Sequence, residues 1–350
     1  MTGTDEVIVW REGPLGRLRL NRPEALNALT HAMALEIEKA LKAWAVDQSV
    51  EAIVIDAAGD RAFCAGGDIQ DLYLTGQKDP GPGRQFWRDE YRLNALIASY
   101  PKPYIALMNG ITMGGGVGVS AHGSHRIVTE KTMLAMPEVT IGFIPDVGGT
   151  YLLSRAPGQT GLYLGLSGAR MNAADTIFAG FADTYVPSEM LPKLIEALAG
   201  GTAPDEAIGQ FSETAPDGAL AVLQDKITDM FAGPDILSCV KRLEKLSESG
   251  DEWAGITLSM IRRNSPLSVA TTFAALHKAR ELATLEECLS LEYNFAHRAL
   301  TGHEFLEGIR ALVIDKDRKP IWQPATLEEV TPEMVEKVLA PLGEEKWKAA

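Results

Sequence analysis

The sequence predicts an α/β fold over residues 1–200, followed by a mostly helical region over residues 201–350. Three observations carry this. Short apolar runs bounded by turn residues alternate with stretches of helical spacing through the first part. Gly200-Gly201-Thr202-Ala203-Pro204 then punctuates the chain as a boundary or linker. Beyond it, apolar residues recur every three or four positions in 219–231, 236–246 and 285–300. A chain of 350 residues with 46% hydrophobic content can bury a large core, with an appendage or a second domain besides.

In order, 7–10 and 16–20 read as a strand pair around Glu12-Gly13-Pro14. A loop over 21–29 follows, and Thr30 is placed to cap a helix whose Met33, Ile37, Leu41 and Trp44 share a face. Residues 52–55 form a short buried strand. Gly66-Gly67 leads into a helix start at Asp68, and 71–83, polar and rich in Gly and Pro, reads as a mobile loop. A helix opens at Phe86 and ends at Pro101-Lys102-Pro103; the run 104–108 is a buried strand that enters Gly114-Gly115-Gly116. Small residues over 116–122 start a tightly packed helix, beside which His122 and His125 read as structural. Short strands are expected at 127–128 and 133–136, a helix after Gly148-Gly149, a strand-like piece within 180–187 and a helix over 190–198. The stretch 302–317 is compact in pattern.

The net charge of -14 disfavours nucleic acid as a partner, because a phosphate binder presents a basic face. No apolar run approaches the ~20 residues that span a bilayer, and the acidic start lacks the cationic, apolar pattern of a signal peptide. Cys64, Cys239 and Cys288 are odd in number and far apart, which points to a reducing cytoplasm and to neither a disulfide framework nor a zinc site.

Chemistry concentrates in 105–150. Three consecutive glycines let backbone approach a ligand and leave N–H groups to donate. Glu138 and Asp146 follow in apolar, Pro- and Gly-punctuated surroundings. Donors beside an acid pair suit acyl chemistry, where an oxyanion is stabilised and protons move. Read without further context, Gly66-Gly67 is a turn and helix cap, and the two acids are loop carboxylates capping a helix.

Asn21-Arg22-Pro23 with Leu26-Asn27-Ala28-Leu29, then Phe63-Cys64-Ala65-Gly66-Gly67-Asp68-Ile69, then Asn109-Gly110 ahead of Gly114-Gly115-Gly116, form an ordered set that resembles the crotonase (enoyl-CoA hydratase/isomerase) superfamily. The resemblance covers residues 6–335 and is weakest over 200–253. It implies a crotonase-like spiral of β-β-α units followed by helices, an acyl-CoA substrate, and an oxyanion hole from the N–H groups of Gly67 and Gly115. By matched motif position, CoA would lie against Ala25, Ala65, Asp68 and Ile69. Arg22, Arg61 or Lys102 either meet its phosphates or are solvated surface charges. No cofactor or metal is implied, since coenzyme A is part of the substrate, and a homo-oligomer is compatible with the pattern.

A hydratase of this family uses two glutamates. The first falls here on Gly118 and the second on Glu138, so one is missing. The Glu138 and Asp146 spacing is shared by the 3-hydroxyisobutyryl-CoA hydrolase and dienoyl-CoA isomerase branches. Phe86-Trp87-Arg88-Asp89-Glu90-Tyr91-Arg92-Leu93-Asn94, the glycine segment from Gly110 to Gly118, and the long tail with Ser265-Pro266, Glu292-Tyr293 and Gly302-His303-Glu304-Phe305 are similar to the hydrolase branch. That branch implies thioester hydrolysis with Glu138 as nucleophile or base, Asp146 as orienting or proton-donating partner, and Glu90 contacting the substrate hydroxyl. The alternatives are a hydratase or dienoyl-CoA isomerase of the same superfamily, and a non-catalytic acyl-CoA- or RNA-binding relative.

Overall fold

The computed structural model describes residues 5–349. Its strands are β1 (Val7–Glu12), β2 (Leu15–Leu20), β3 (Ala52–Ala57), β4 (Ala62–Cys64), β5 (Tyr104–Met108), β6 (Ile111–Met113), β7 (His125–Val128), β8 (Met133–Ala135) and β9 (Thr184–Tyr185). β1 and β2 form the expected antiparallel pair, with Val7 opposite Leu20 and Glu12 opposite Leu15. Gly13 turns the chain at φ 57°, where a Cβ would also stand 2.3 Å from the Ala199 carbonyl oxygen, so a side chain is excluded twice over. From β3 onward successive strands alternate between two sheets. One has the order β1-β2-β3-β5-β7-β9 and the other β4-β6-β8. Each pass of the chain therefore adds one strand to each sheet, which is the spiral implied by the motifs. β3, β5, β7 and β9 pair in parallel, and their buried faces pack Val54, Ile105, Leu107 and Ile127 into one core with Leu191, Leu194 and Leu198.

The helices follow the sequence reading with two corrections. α1 (His31–Val46) begins as expected, with the Thr30 hydroxyl accepting from the Met33 N–H at 3.2 Å. The segment 71–83 is not a mobile loop. It holds α2 (Ile69–Gly76), capped by Asp68, and the start of α3 (Gly81–Ala98). The glycines that suggested flexibility make room for a side chain instead. A Cβ on Gly76 or Gly83 would fall 2.6 or 2.4 Å from the methyl groups of Leu300. The second correction concerns the glycine-rich helix, which is only one turn long, α4 (Gly115–Gly118), before the chain breaks into turns. Glycine contributes little helical stability, and this turn is kept for close approach rather than length. α5 (Gly149–Arg155) follows the acid pair, and seven further α-helices of eight or more residues lie between Pro204 and Leu339 among the described residues.

Two compact units emerge. One comprises residues 1–67, 89–134 and 171–219; the other comprises 68–88, 135–170 and 220–350. The division therefore differs from a single cut near residue 200. The six-stranded sheet belongs to the first unit. The segment 135–170, with both acids, groups with the C-terminal helices.

Candidate active site

The first unit brings Gly67, Gly115 and Glu90 together. Gly66 has φ 121° and Gly114 φ 46°, so each donor glycine follows a residue in a conformation that L side chains rarely adopt. A Cβ built on Gly115 would lie 3.3 Å from the Gly67 nitrogen, which measures how closely the two backbones approach. Among the described residues, neither the Gly67 nor the Gly115 N–H donates to a backbone acceptor. The loop is fixed from outside: the Leu29 N–H donates to the Gly66 carbonyl at 2.8 Å and the Ala65 N–H to the Leu26 carbonyl at 3.0 Å. Asn27, 1% exposed, spans the loop's base by donating to the carbonyls of Ala58 and Ala62. Two adjacent N–H groups held by such bonds can receive an oxyanion.

Glu90 stands on α3 with 2% exposure, and its Oε1 would lie 2.8 Å from a Cβ on Gly115. Its carboxylate therefore sits against the donor pair. The adjacent Asp89 is pinned by His31 Nε2 at 2.7 Å and by Arg92 at 2.5 Å, and Arg92 also grips both oxygens of Glu38 on α1 at 2.6 and 2.7 Å. That bidentate pair fixes the rotation of α3 and so the direction of Glu90. Of the motif-matched CoA positions, Ala25 ends a 3-10 turn, Pro23–Ala25, Ala65 is half-buried, and Asp68 and Ile69 open α2. A cleft of about 220 Å³ beside Ala25 is lined by Pro23, Glu24, Asn27 and Arg61 among others. Arg61 is exposed there. It also donates to the Pro23 carbonyl at 3.2 Å, Lys102 donates to the carbonyls of Trp44 and Asp47, and Arg22 pairs with Glu6. His125 joins Ser124 and Asp205, which is the structural role expected of it.

The second unit brings Glu138 and Asp146 together, each 6% exposed. Glu138 opens a 3-10 turn, Glu138–Ile141, and its Oε2 is buried without a hydrogen-bond partner among the described residues. Burial, and then the nearby Asp146 charge, hold its carboxyl well above the usual carboxylate range, with Glu292 adding to the effect. The turn is anchored by the C-terminal helices. The Val139 carbonyl accepts from the Ser265 N–H at 3.1 Å, and the Ser265 hydroxyl bonds to Glu304. Gly142 and Gly308 admit close backbone: a Cβ on either would stand 2.2 or 2.3 Å from the carbonyl oxygen of Glu304 or Ile141. Phe143 closes the turn among Trp87, Phe295 and Phe305, with ring centroids 4.8–5.3 Å away.

Sequence reasoning named Glu292 only within the similar tail and gave it no role. Its signal was there. Leu285, Cys288, Leu289, Ala296 and Ala299 form the buried stripe of helix Leu285–Ala299, and Glu292 falls on that stripe as its charged member, fully buried.

Residues 15–339 match the enoyl-CoA hydratase/isomerase family. The chain belongs to that family. Among its relatives, human mitochondrial 3-hydroxyisobutyryl-CoA hydrolase is 40% identical, covering 97% of this chain and 89% of that protein. The Xenopus laevis protein of the same name is 39% identical, covering 96% and 89%. Among solved structures, an enoyl-CoA hydratase from Rhodobacter sphaeroides superposes with a TM-score of 0.93 at 48% identity, over 98% of this chain and 100% of that one. A carnitinyl-CoA dehydratase from Mycobacterium thermoresistibile gives 0.94 at 42%, over 99% of both. These names span hydrolysis, hydration and dehydration on one fold, so the residues of this enoyl-CoA hydratase/isomerase family member must decide among them.

Proposed function

We propose that this protein hydrolyses an acyl-CoA thioester, 3-hydroxyisobutyryl-CoA, to 3-hydroxyisobutyrate and CoA, a reaction of valine catabolism. The observation that carries this is the acid set. Glu138 and Asp146 are buried together while the position of a hydratase's other glutamate is Gly118, a side-chain-free residue of α4. Addition of water across a double bond then lacks one of its two carboxylates. Hydrolysis needs only one group that takes a proton from water and returns it to the leaving sulfur.

In this reading the N–H groups of Gly67 and Gly115 receive the thioester oxygen as it gains charge, a stabilisation in which losing one donor typically costs ~3 kcal/mol of barrier. Glu138 accepts a proton from water as the new C–O bond forms, and gives it to sulfur as the C–S bond breaks. A carboxyl whose proton affinity is raised by burial and by Asp146 suits both halves of that cycle better than an ordinary one. Direct attack by Glu138 to give an anhydride uses the same groups. Glu90, beside the donor pair, is assigned the 3-hydroxyl of the acyl chain. A cytoplasmic or other reducing location is supported by three buried free cysteines, while the curated relatives above carry the word mitochondrial in their names.

The test is thiol release from 3-hydroxyisobutyryl-CoA followed with a thiol reagent. The protein's three thiols, Cys64, Cys239 and Cys288, are buried, and burial raises each above its ordinary value, so an enzyme-only control is expected to give a small, constant background. Release by the wild type and its near-loss in Glu138→Gln are expected. Hydration of an enoyl-CoA without thiol release would overturn the proposal.

A further inference from the structure

The turn that carries Asp146 is held by a residue 144 positions away in sequence. Glu292 accepts from the Gly148 N–H with one oxygen at 2.8 Å, and from the Thr150 N–H and hydroxyl with the other at 2.9 and 2.5 Å. All three donors lie within four residues of Asp146. The turn between them is strained. Val147 has φ 52° and Gly148 φ 80°, two left-handed residues in succession. A β-branched residue such as valine rarely adopts that conformation and keeps it only where surrounding structure imposes it. The Gly149 N–H returns to the Asp146 carbonyl at 2.7 Å and closes the turn.

Glu292 is an expensive way to hold a turn. It is fully buried, it adds a third carboxylate to two already buried, and burial with the Asp146 charge pushes its carboxyl up to about 8. A neutral side chain would avoid the like-charge cost. It would not satisfy three donors with both of its terminal atoms, because the nitrogen of a glutamine would face an N–H or a hydroxyl. From the clamp, its burial and the strained turn, we infer that Glu292 is a positioning residue that fixes Asp146 against Glu138 for the hydrolytic step. The inference rests on the function proposed above and extends it to a residue on the C-terminal helices.

The experiment compares wild type, Glu292→Gln and Thr150→Val in steady-state thioester hydrolysis, with hydrogen exchange of the peptide spanning residues 147–150. A misplaced Asp146 impairs the chemical step and leaves CoA binding alone. Glu292→Gln is therefore expected to lower kcat by roughly 10- to 100-fold with KM within about 3-fold, the scale set by charge-assisted hydrogen bonds. Thr150→Val, which removes only the hydroxyl bond, is expected to lower kcat by roughly 3- to 10-fold. The amides of 147–150 should exchange faster in both variants. A kcat unchanged in Thr150→Val overturns the inference, and so does a kcat loss that merely tracks the folded fraction in either variant. If the wild type releases no thiol, the proposed function fails; the exchange measurement then still reports whether Glu292 holds the turn, and unchanged exchange in Glu292→Gln overturns that hold.

Discussion

Replacing Glu138 with glutamine should stabilise this protein while removing its activity. In the folded state the carboxyl is buried, one oxygen lacks a hydrogen-bond partner among the described residues, and the charges of Asp146 and Glu292 oppose its ionisation. An acid whose folded pKa lies above its ordinary 4.5 binds its proton more tightly in the folded state. Between the two values the unfolded chain carries fewer protons, so stability falls as pH rises through that window, and the whole penalty is present above the folded pKa. Glutamine has no charge to bury and escapes it. A buried polar group left unsatisfied costs ~1–3 kcal/mol, and the charged form lies at the upper end of that range or beyond it. Glutamine keeps part of the cost, because its amide is also buried, so a net gain of about 1–2 kcal/mol is expected at pH 8. For a cooperative unit of 150–250 residues this raises Tm by about 2–4 °C per kcal/mol. Urea unfolding of both proteins at pH 8 and near pH 4.5 measures it. The gain should shrink towards zero at the lower pH, where wild-type Glu138 is protonated in the folded state and already half-protonated in the unfolded chain. Equal stability at both pH values, or a less stable variant at pH 8, would refute the electrostatic account of Glu138. The same reasoning puts the acid limb of wild-type kcat above the range of an ordinary glutamate, because the carboxylate form is the active one.

Two further outcomes separate specificity from fold. Glu90→Ala should lose about ten- to a hundred-fold in kcat/KM for 3-hydroxyisobutyryl-CoA and change little with isobutyryl-CoA, as expected for the loss of a hydrogen bond to a charged acceptor; equal losses with both thioesters would remove Glu90 from substrate choice. Gly115→Ala should fold yet hydrolyse poorly, since its methyl would meet the movable end of Glu90 at 2.8 Å and the Gly67 nitrogen at 3.3 Å, whereas Gly116→Ala should express insoluble, its methyl meeting the Cys64 carbonyl oxygen at 2.3 Å. Circular dichroism and thiol release on the two proteins check this, and an active Gly115→Ala would contradict the donor assignment.

The legible parts of this chain are those in which local chemistry and tertiary role agree. Thr30 caps a helix because its hydroxyl reaches an N–H three residues on, and the apolar run 104–108 is a strand because both its faces are covered. The ordered glycine motifs marked Gly67 and Gly115, and the acids stood out against apolar neighbours. The segment 71–83 misled because two of its three glycines, Gly76 and Gly83, serve Leu300, a side chain more than two hundred residues away in sequence, and local composition carries no trace of such a partner. The same distance hid Glu292. A helix pattern shows that a position is buried, but not that the buried side chain accepts three hydrogen bonds from a turn 142 residues earlier.

Residues equally distant in sequence hold both acid-bearing turns. The turns bearing Glu138 and Asp146 have little structure of their own, one a four-residue 3-10 turn and the other a pair of left-handed residues. Neither is held by a sheet ladder. Apart from Trp87 against Phe143, what holds them comes from later in the chain: the Ser265 N–H on the Val139 carbonyl, the Glu304 backbone against Gly142, Phe295 and Phe305 around Phe143, and Glu292 on Gly148 and Thr150. Three acids buried in one neighbourhood repel one another whenever they ionise, and that would drive an unsupported loop to open toward water. A frame of helices that supplies several separate anchors to residues 139–150 offsets that tendency, and removal of everything after residue 260 would take away every one of them. On the proposed function the C-terminal helices therefore serve the chemistry as well as the core, because their anchors keep Glu138 and Asp146 buried together.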